Sequence, residues 1–323
     1  MDIRNIFYFK NIVDQYYPNG STESIDIKMV VDLVKSQLTQ INDKNFSEIM
    51  IGCFIPDLYP GMGVEEKLFT KLTELMVGEW WRRLGGEYNL PTKKSGTEDV
   101  ELIIGNNSII CDVKVFRLGR SQKAPNVKDF IKLESIRDWK DNLNNKYIKK
   151  GISQNIIGGI ITYSSLHEWA QNSAVYKACT TLDMPVIMLP YELLALILKY
   201  KDRYCLDDFI EIWNYRGNKL IRSESKSSYW NYINNKLQTL LNLTDNQYYN
   251  ELNSYQNNII QAVEEYIKNI KKDIFNNRKR IISEINYIQD IRELKRRFIR
   301  DLDKEYNKDA IKSLKYINLF RKF

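Results

Sequence analysis

The chain contains one histidine, His167, in Ser165-Leu-His-Glu-Trp169. That scarcity argues against a Ser-His-Asp triad, an HNH-type nuclease centre and a histidine-rich zinc site. A lone histidine beside Trp169 reads as structural. The four cysteines, Cys53, Cys111, Cys179 and Cys205, are scattered with no CxxC pair. They read as small buried residues rather than disulfide halves or zinc ligands. No GxxxxGK[ST] or GxGxxG occurs, and Gly61-Met-Gly63 lacks a third glycine, so a nucleotide-phosphate loop is not expected. No run of 18 apolar residues exists, which excludes a spanning helix and a membrane partner. The N-terminal Met-Asp-Ile-Arg-Asn-Ile-Phe lacks a basic-then-apolar export pattern, so a cytoplasmic protein is expected.

What is present is length and unevenly placed charge. The 323 residues suffice for one large domain or two smaller ones. The net charge is +7, and residues 251–323 carry 17 lysines and arginines against 11 acids, an excess of six. Such a surface fits a solvated helical face and a phosphate-facing one equally well.

Apolar residues at Ile27, Val30, Val31, Val34 and Leu38 predict an amphipathic helix over 24–41. A second helix is predicted from Val64 to Leu84, with a stripe of Val64, Leu68, Leu72, Leu75, Met76, Trp80 and Leu84, ended by Gly85-Gly86. The runs Ile156–Thr162 and Met184–Leu189 read as buried strands, with a helix over His167–Cys179 between them. Strand, helix and strand in that order suggest a mixed sheet with a crossover. Pro190 is followed by an apolar helix, Tyr191 to Tyr200. Glu224–Trp230 reads as an exposed connection. Beyond it Leu252, Tyr255, Ile259, Val263, Ile267, Ile270 and Ile274 repeat at threes and fours. The pattern then shifts to Ile281, Ile285, Ile288 and Ile291, as in a helical hairpin or bundle.

The chemistry concentrates between Asp99 and Lys114. The stretch reads as two strands joined at Gly105-Asn106-Asn107, with Asp99 heading the first. Asp112 and Lys114 stand two apart on the second strand and so project from one face. Hard divalent cations prefer oxygen, and Asp99, Asp112 and the carbonyl of Val113 would form an incomplete shell with room for water and a phosphate oxygen. Lys114 would orient the water or stabilise developing charge. Similar spacings at Asp26-Ile27-Lys28 and Glu65-Glu66-Lys67 fall on helical patterns. Spacing alone also fits an exposed ion pair on a strand.

Glu66-Lys-Leu-Phe69, Asp112-Val-Lys-Val-Phe-Arg-Leu-Gly-Arg120 and Val127-Lys-Asp-Phe130 occur in order, followed by Leu189–Leu198 and Phe209–Trp213. Together they resemble the HindIII-type restriction endonucleases, a branch of the PD-(D/E)XK nucleases. The resemblance covers roughly residues 60 to 215, and more loosely the helical C-terminus. It implies an α/β (α+β) restriction-endonuclease-like core, with a mixed central sheet flanked by helices, plus a C-terminal helical region. The core with its N-terminal helices would occupy residues 1–200, and 201–323 would flank DNA or dimerise.

The implied catalytic residues are Asp99, Asp112 and Lys114, with Glu66 as an added acid opening the first core helix. Its other reading is a helix N-terminal acid favoured by the macrodipole. Here Glu98 rather than proline precedes Asp99, so either acid could be the first ligand. The segment after the catalytic strand resembles a base-reading element: Gln122, Lys123, Asn126, Lys128 and Asp129 would contact bases, Arg117 and Arg120 the backbone.

The resemblance implies a type II enzyme cutting both strands of a short palindrome with Mg²⁺ (Mn²⁺ as substitute) and leaving 5′-phosphates. It implies a homodimer on double-stranded DNA, alongside a DNA methyltransferase that acts on the same site without being bound. The alternatives are a structure-selective repair or junction nuclease of the same fold and a non-enzymatic DNA-binding protein.

Overall fold

The structure is a computed structural model that describes residues 3–17, 25–56, 58–59, 61, 63–91, 97–118, 133–165, 185–214, 225–286 and 292–317. Helices α1 (Ile3–Ile6), α2 (Tyr8–Tyr16), α3 (Ile27–Gln40) and α4 (Asp43–Ile51) lead into the long α5 (Val64–Arg83). Strands β1 (Glu87–Asn89), β2 (Val100–Ile104) and β3 (Asn107–Val113) follow, then α6 (Leu133–Lys150), β4 (Asn155–Tyr163), β5 (Val186–Pro190) and α7 (Tyr191–Lys199). The chain closes with α8 (Leu206–Phe209), a 3-10 turn at Ile210–Asn214, α9 (Ser225–Leu241), α10 (Asp245–Ile285), α11 (Arg292–Tyr306) and α12 (Lys308–Ile317).

The sheet has five strands in sequence order, β1 to β5. The first three pair antiparallel, and β3–β4 and β4–β5 pair parallel, which is the mixed sheet the sequence suggested. Gly105 and Asn106 alone form the β2–β3 turn, and Gly105 adopts φ +51°, a conformation that side-chained residues rarely hold. Gly158 has a different purpose. A Cβ there would lie 2.4 Å from the Trp213 ring, so its bareness lets that indole lie against β4 and donate to Gly159 O at 2.8 Å.

The predicted stripe of α5 is present, but the helix is buried nearly all round, because Phe69, Val77 and Trp81 are enclosed as well. It lies between β1–β3 on one side and α2, α3 and α7 on the other. Trp80 Nε1 donates to Leu194 O in α7 and Trp81 Nε1 to Ile103 O in β2, each at 2.9 Å. A helix clamped on two sides and covered on both faces presents its side chains at fixed heights over the sheet.

Two sequence expectations need correction. The connection expected at 224–230 is, from Ser225 onward, the first part of α9. Its Tyr229 is fully buried, and the hydroxyl both accepts from Met188 N and donates to Met188 O on β5. The apparent register change after Ile274 does not break the helix, since Ile270, Ile274, Ile281 and Ile285 share one face of a continuous 41-residue α10. Its partners change instead. The N-terminal half meets α1 and α7, through Phe7 with Tyr266 and Lys199 with Glu251. The C-terminal half meets α11 and α12, through Arg278 with Asp303 and Asn277 with Asn307. Ile288 and Ile291 lie outside the described residues, as does the helix expected at His167–Cys179. No helix among the described residues is long and apolar enough to cross a membrane.

Candidate active site

The hairpin register places Val100 opposite Cys111, which sets Asp99 beside Asp112 at the open end of the β2–β3 pair. Asp99 N donates to Cys111 O at 3.1 Å, and Val113 N donates to Asp99 Oδ2 at 2.8 Å. The neighbouring strand holds the next residue, with Lys114 N donating to Thr162 O at 2.8 Å and Tyr191 Oη donating to Lys114 O at 2.9 Å. Lys114 Nζ reaches back over two residues to Asp112 Oδ1 at 2.7 Å, as the shared strand face requires. The other oxygen, Asp112 Oδ2, is buried and has no hydrogen-bond partner among the described residues.

Burial first, and the nearby Asp112 carboxylate second, push the Asp99 carboxyl up to about 6. The Val113 N–H and the ammoniums of Lys114 and Lys71 pull in the opposite direction. A carboxyl that resists ionisation beside a buried, unpartnered carboxylate oxygen marks a place short of positive charge.

A third acid acts electrostatically on this pair, and the sequence analysis missed it. Glu74, almost wholly buried on α5, is pushed up to about 7 by burial, then by Asp99 and, more weakly, by Asp112. Lys71 Nζ binds its Oε2 at 2.5 Å. The available signal was an acid set among apolar residues in Lys71-Leu-Thr-Glu-Leu-Met76, on a helix too apolar to be a surface element.

Glu66 is the acid the sequence pointed to on this helix, and it opens α5. It lies eight residues before Glu74, about 12 Å along the helix axis. Its Oε2 binds Arg117 Nη2 at 2.7 Å, and Arg117 Nη1 also donates to Tyr59 O at 2.6 Å and Pro56 O at 3.4 Å. Arg117 therefore ties the chain leaving β3 to the start of α5. Glu98 has different neighbours from Asp99. Its buried carboxyl is raised by burial and by Glu101, with Lys146 opposing. Arg120, Gln122, Lys123, Asn126, Lys128 and Asp129 lie outside the described residues.

The donor set fits a hard divalent cation. Asp99 and Asp112 offer carboxylate oxygens, Val113 offers a carbonyl, and the soft ligand beside them among the described residues is Cys111, whose burial raises the thiol well above its ordinary value. Among the described residues no group of three or more acidic, cysteine or histidine side chains is placed to hold a metal ion, so the two aspartates with a backbone carbonyl are the donors available. The unpartnered Asp112 Oδ2 is the atom such a cation would satisfy. An open set of oxygen ligands, a lysine at its rim and a strand end beside it suit phosphodiester hydrolysis.

No curated protein is similar enough to match the chain. The family model of the HindIII restriction endonuclease matches residues 12–300, nearly the whole length, and takes in the sheet, α5 and most of the C-terminal helices. The chain belongs to the HindIII restriction endonuclease family.

Proposed function

We propose that this type II site-specific deoxyribonuclease uses Mg²⁺, cuts both strands of a short palindromic duplex as a homodimer, and leaves 5′-phosphates. The observation that carries the reading is the buried Asp112 Oδ2, unpartnered among the described residues, beside an Asp99 carboxyl that is pushed up. Restriction endonucleases generally use divalent metal ions. Asp99, Asp112 and the Val113 carbonyl would hold the ion. The bound ion would lower the pKa of a water and neutralise charge on the phosphate.

The chain's own residues supply orientation. Asp112 anchors Lys114, whose ammonium is then placed to donate to the attacking water or to the oxygen that gains charge. Tyr191 fixes the backbone that carries this lysine. Water attacks phosphorus, the bond from phosphorus to O3′ breaks, and the proton ends on O3′. The products are a 5′-phosphate and a 3′-hydroxyl. A two-fold protein matches a two-fold site, so each subunit cuts one strand.

Arg120, Gln122, Lys123, Asn126, Lys128 and Asp129 leave directly from the catalytic strand and supply the groups that read bases and backbone. Arg117, occupied with Glu66, Tyr59 and Pro56, holds the root of that segment. The basic helices α10 to α12 flank DNA or build the dimer. Digesting DNA of known sequence with Mg²⁺ and sequencing the ends tests the reading. Ends at one palindrome support it, and nicks that follow DNA structure rather than sequence overturn it.

A further inference from the structure

The long helix α10 buries one face along Ile259, Val263, Ile270, Ile274, Ile281 and Ile285. At about 100° per residue the opposite face carries Lys268, Lys272, Phe275, Lys279 and Ile282, with Lys271 at its edge, and all six are exposed. Glu264 and Glu265 end this stripe on its N-terminal side, while Asp273 and Glu284 fall on the flank nearer the buried face. No acid therefore interrupts it. Among the described residues none of its four lysines makes an ion pair, whereas the neighbouring Arg278 and Arg280 bind Asp303 and Glu284. The Lys279 ammonium instead lies 4.6 Å from the centre of the Phe275 ring, a placement that needs no carboxylate.

The stripe starts close to the proposed cutting site. Tyr266, two residues before Lys268, lies against Phe7 with ring centres 4.4 Å apart. Phe7 leads into α2, whose Asp14 accepts the Tyr59 hydroxyl at 2.8 Å. Tyr59 O in turn accepts from Arg117 Nη1 at 2.6 Å. A short chain of contacts thus joins the start of the stripe to the chain leaving β3. From Lys268 to Lys279 the helix then rises about 16 Å, the length of roughly five base pairs.

We propose that this stripe of α10 docks the sugar–phosphate backbone of duplex DNA outside the cut sequence. The inference rests on the reading of the protein as a DNA-cutting enzyme, and it selects one of the two roles left to this helix. Four unpaired ammoniums with no acid among them match a row of phosphates, and each neutralised phosphate releases counterion. Ammoniums on flexible stems act as point charges, so they hold the duplex without reading its sequence. A second copy of the chain fits poorly. A two-fold contact repeats one patch on both subunits and would set lysine against lysine.

The test compares two duplexes carrying the mapped site, one with roughly two flanking base pairs on each side and one with roughly twelve. Binding is measured in Ca²⁺ to prevent cutting, and wild type should favour the long duplex. Lys268→Gln, Lys271→Gln, Lys272→Gln and Lys279→Gln together should weaken binding to the long duplex at least about tenfold. The salt slope should become shallower by about three to four for each subunit engaged. Binding to the short duplex should stay within about twofold of wild type. The four matching Lys→Arg changes should restore the long-duplex affinity, and sedimentation should show an unchanged oligomeric state. If the fourfold variant melts early, Lys268→Gln with Lys279→Gln should give the same pattern with about half the slope change. Equal losses on both duplexes, no loss on either, or a variant that changes oligomeric state overturns the docking surface alone, as does a wild type that cuts but binds both duplexes alike. A wild type that cuts no DNA overturns the underlying reading.

Discussion

The carboxylate of Asp99 accepts the backbone N–H of Val113 at 2.8 Å, which ties the first acid of the site to the strand that carries the second. The tie holds two carboxyls together that repel each other, at a depth where burial disfavours their charge. Glu74 adds a third from the helix above. The arrangement costs stability wherever these acids are ionised.

That cost should appear as a pH dependence. Asp99 moves from an ordinary 3.8 up to about 6, and Glu74 from 4.5 up to about 7. Groups raised in the folded state give stability that is complete below their unfolded values and lost as pH rises through the folded ones. The cation-free protein should therefore lose stability between about pH 4 and pH 7 from these two acids. Asp99→Asn keeps an acceptor for Val113, and Glu74→Gln keeps the volume. Each should melt about 1–3 °C above wild type at pH 8, with no difference below about pH 4. Scanning calorimetry without divalent ions checks both arms.

Cation binding should release protons. The ligands must be ionised, and Glu74, which acts on them electrostatically, is protonated for about half the time near neutrality. Mn²⁺ affinity should rise with pH and level off above about pH 7. Titration at pH 6 in two buffers of different ionisation enthalpy should report release approaching roughly one proton per ion. In Glu74→Gln the release should shrink, and cleavage should fall at least about tenfold. An unchanged proton count would remove Glu74 from the groups coupled to the cation.

The hairpin, the shared face of Asp112 and Lys114 and the mixed sheet were legible because strand alternation and a two-residue turn are local rules. Asp99 followed from the same register. Glu74 did not, because its influence on Asp99 comes only through the packing of α5 on β2 and β3, which no local rule reports. Glu66 attracted attention by opening the helix, and its partner Arg117 is a contact across 51 residues that no spacing rule reports. The start of α9 was hidden for a similar reason. Its Ser225-Lys-Ser-Ser run looks like a loop, and the Tyr229 hydroxyl bridging Met188 is a tertiary contact that favours helix there.

Glu66 and Arg117 should behave as a tether rather than as chemistry. The pair is about a quarter exposed, so a double-mutant cycle on stability should give a coupling of about 0.5–1 kcal/mol. Glu66→Gln should retain cleavage within about threefold of wild type. A Glu66→Gln variant as inactive as Asp112→Ala would return Glu66 to the active site.

Tyr191→Phe keeps the ring and removes the donor to Lys114 O, together with the hydroxyl's contact with Thr162. Stability should drop by about 1 kcal/mol. Cleavage should fall mainly in kcat, with KM little changed, because the lysine loses placement while DNA contacts remain. Equal loss in KM would mean that Tyr191 supports binding instead.

The most direct test is cleavage of plasmid DNA in Mg²⁺ by wild type and Asp112→Ala, with DNA binding followed in Ca²⁺. The account requires discrete fragments from the wild type. The variant should produce none, while its sequence-specific binding stays largely intact. Fragments that persist at a comparable rate in Asp112→Ala would contradict the assignment of this site as the one that cuts.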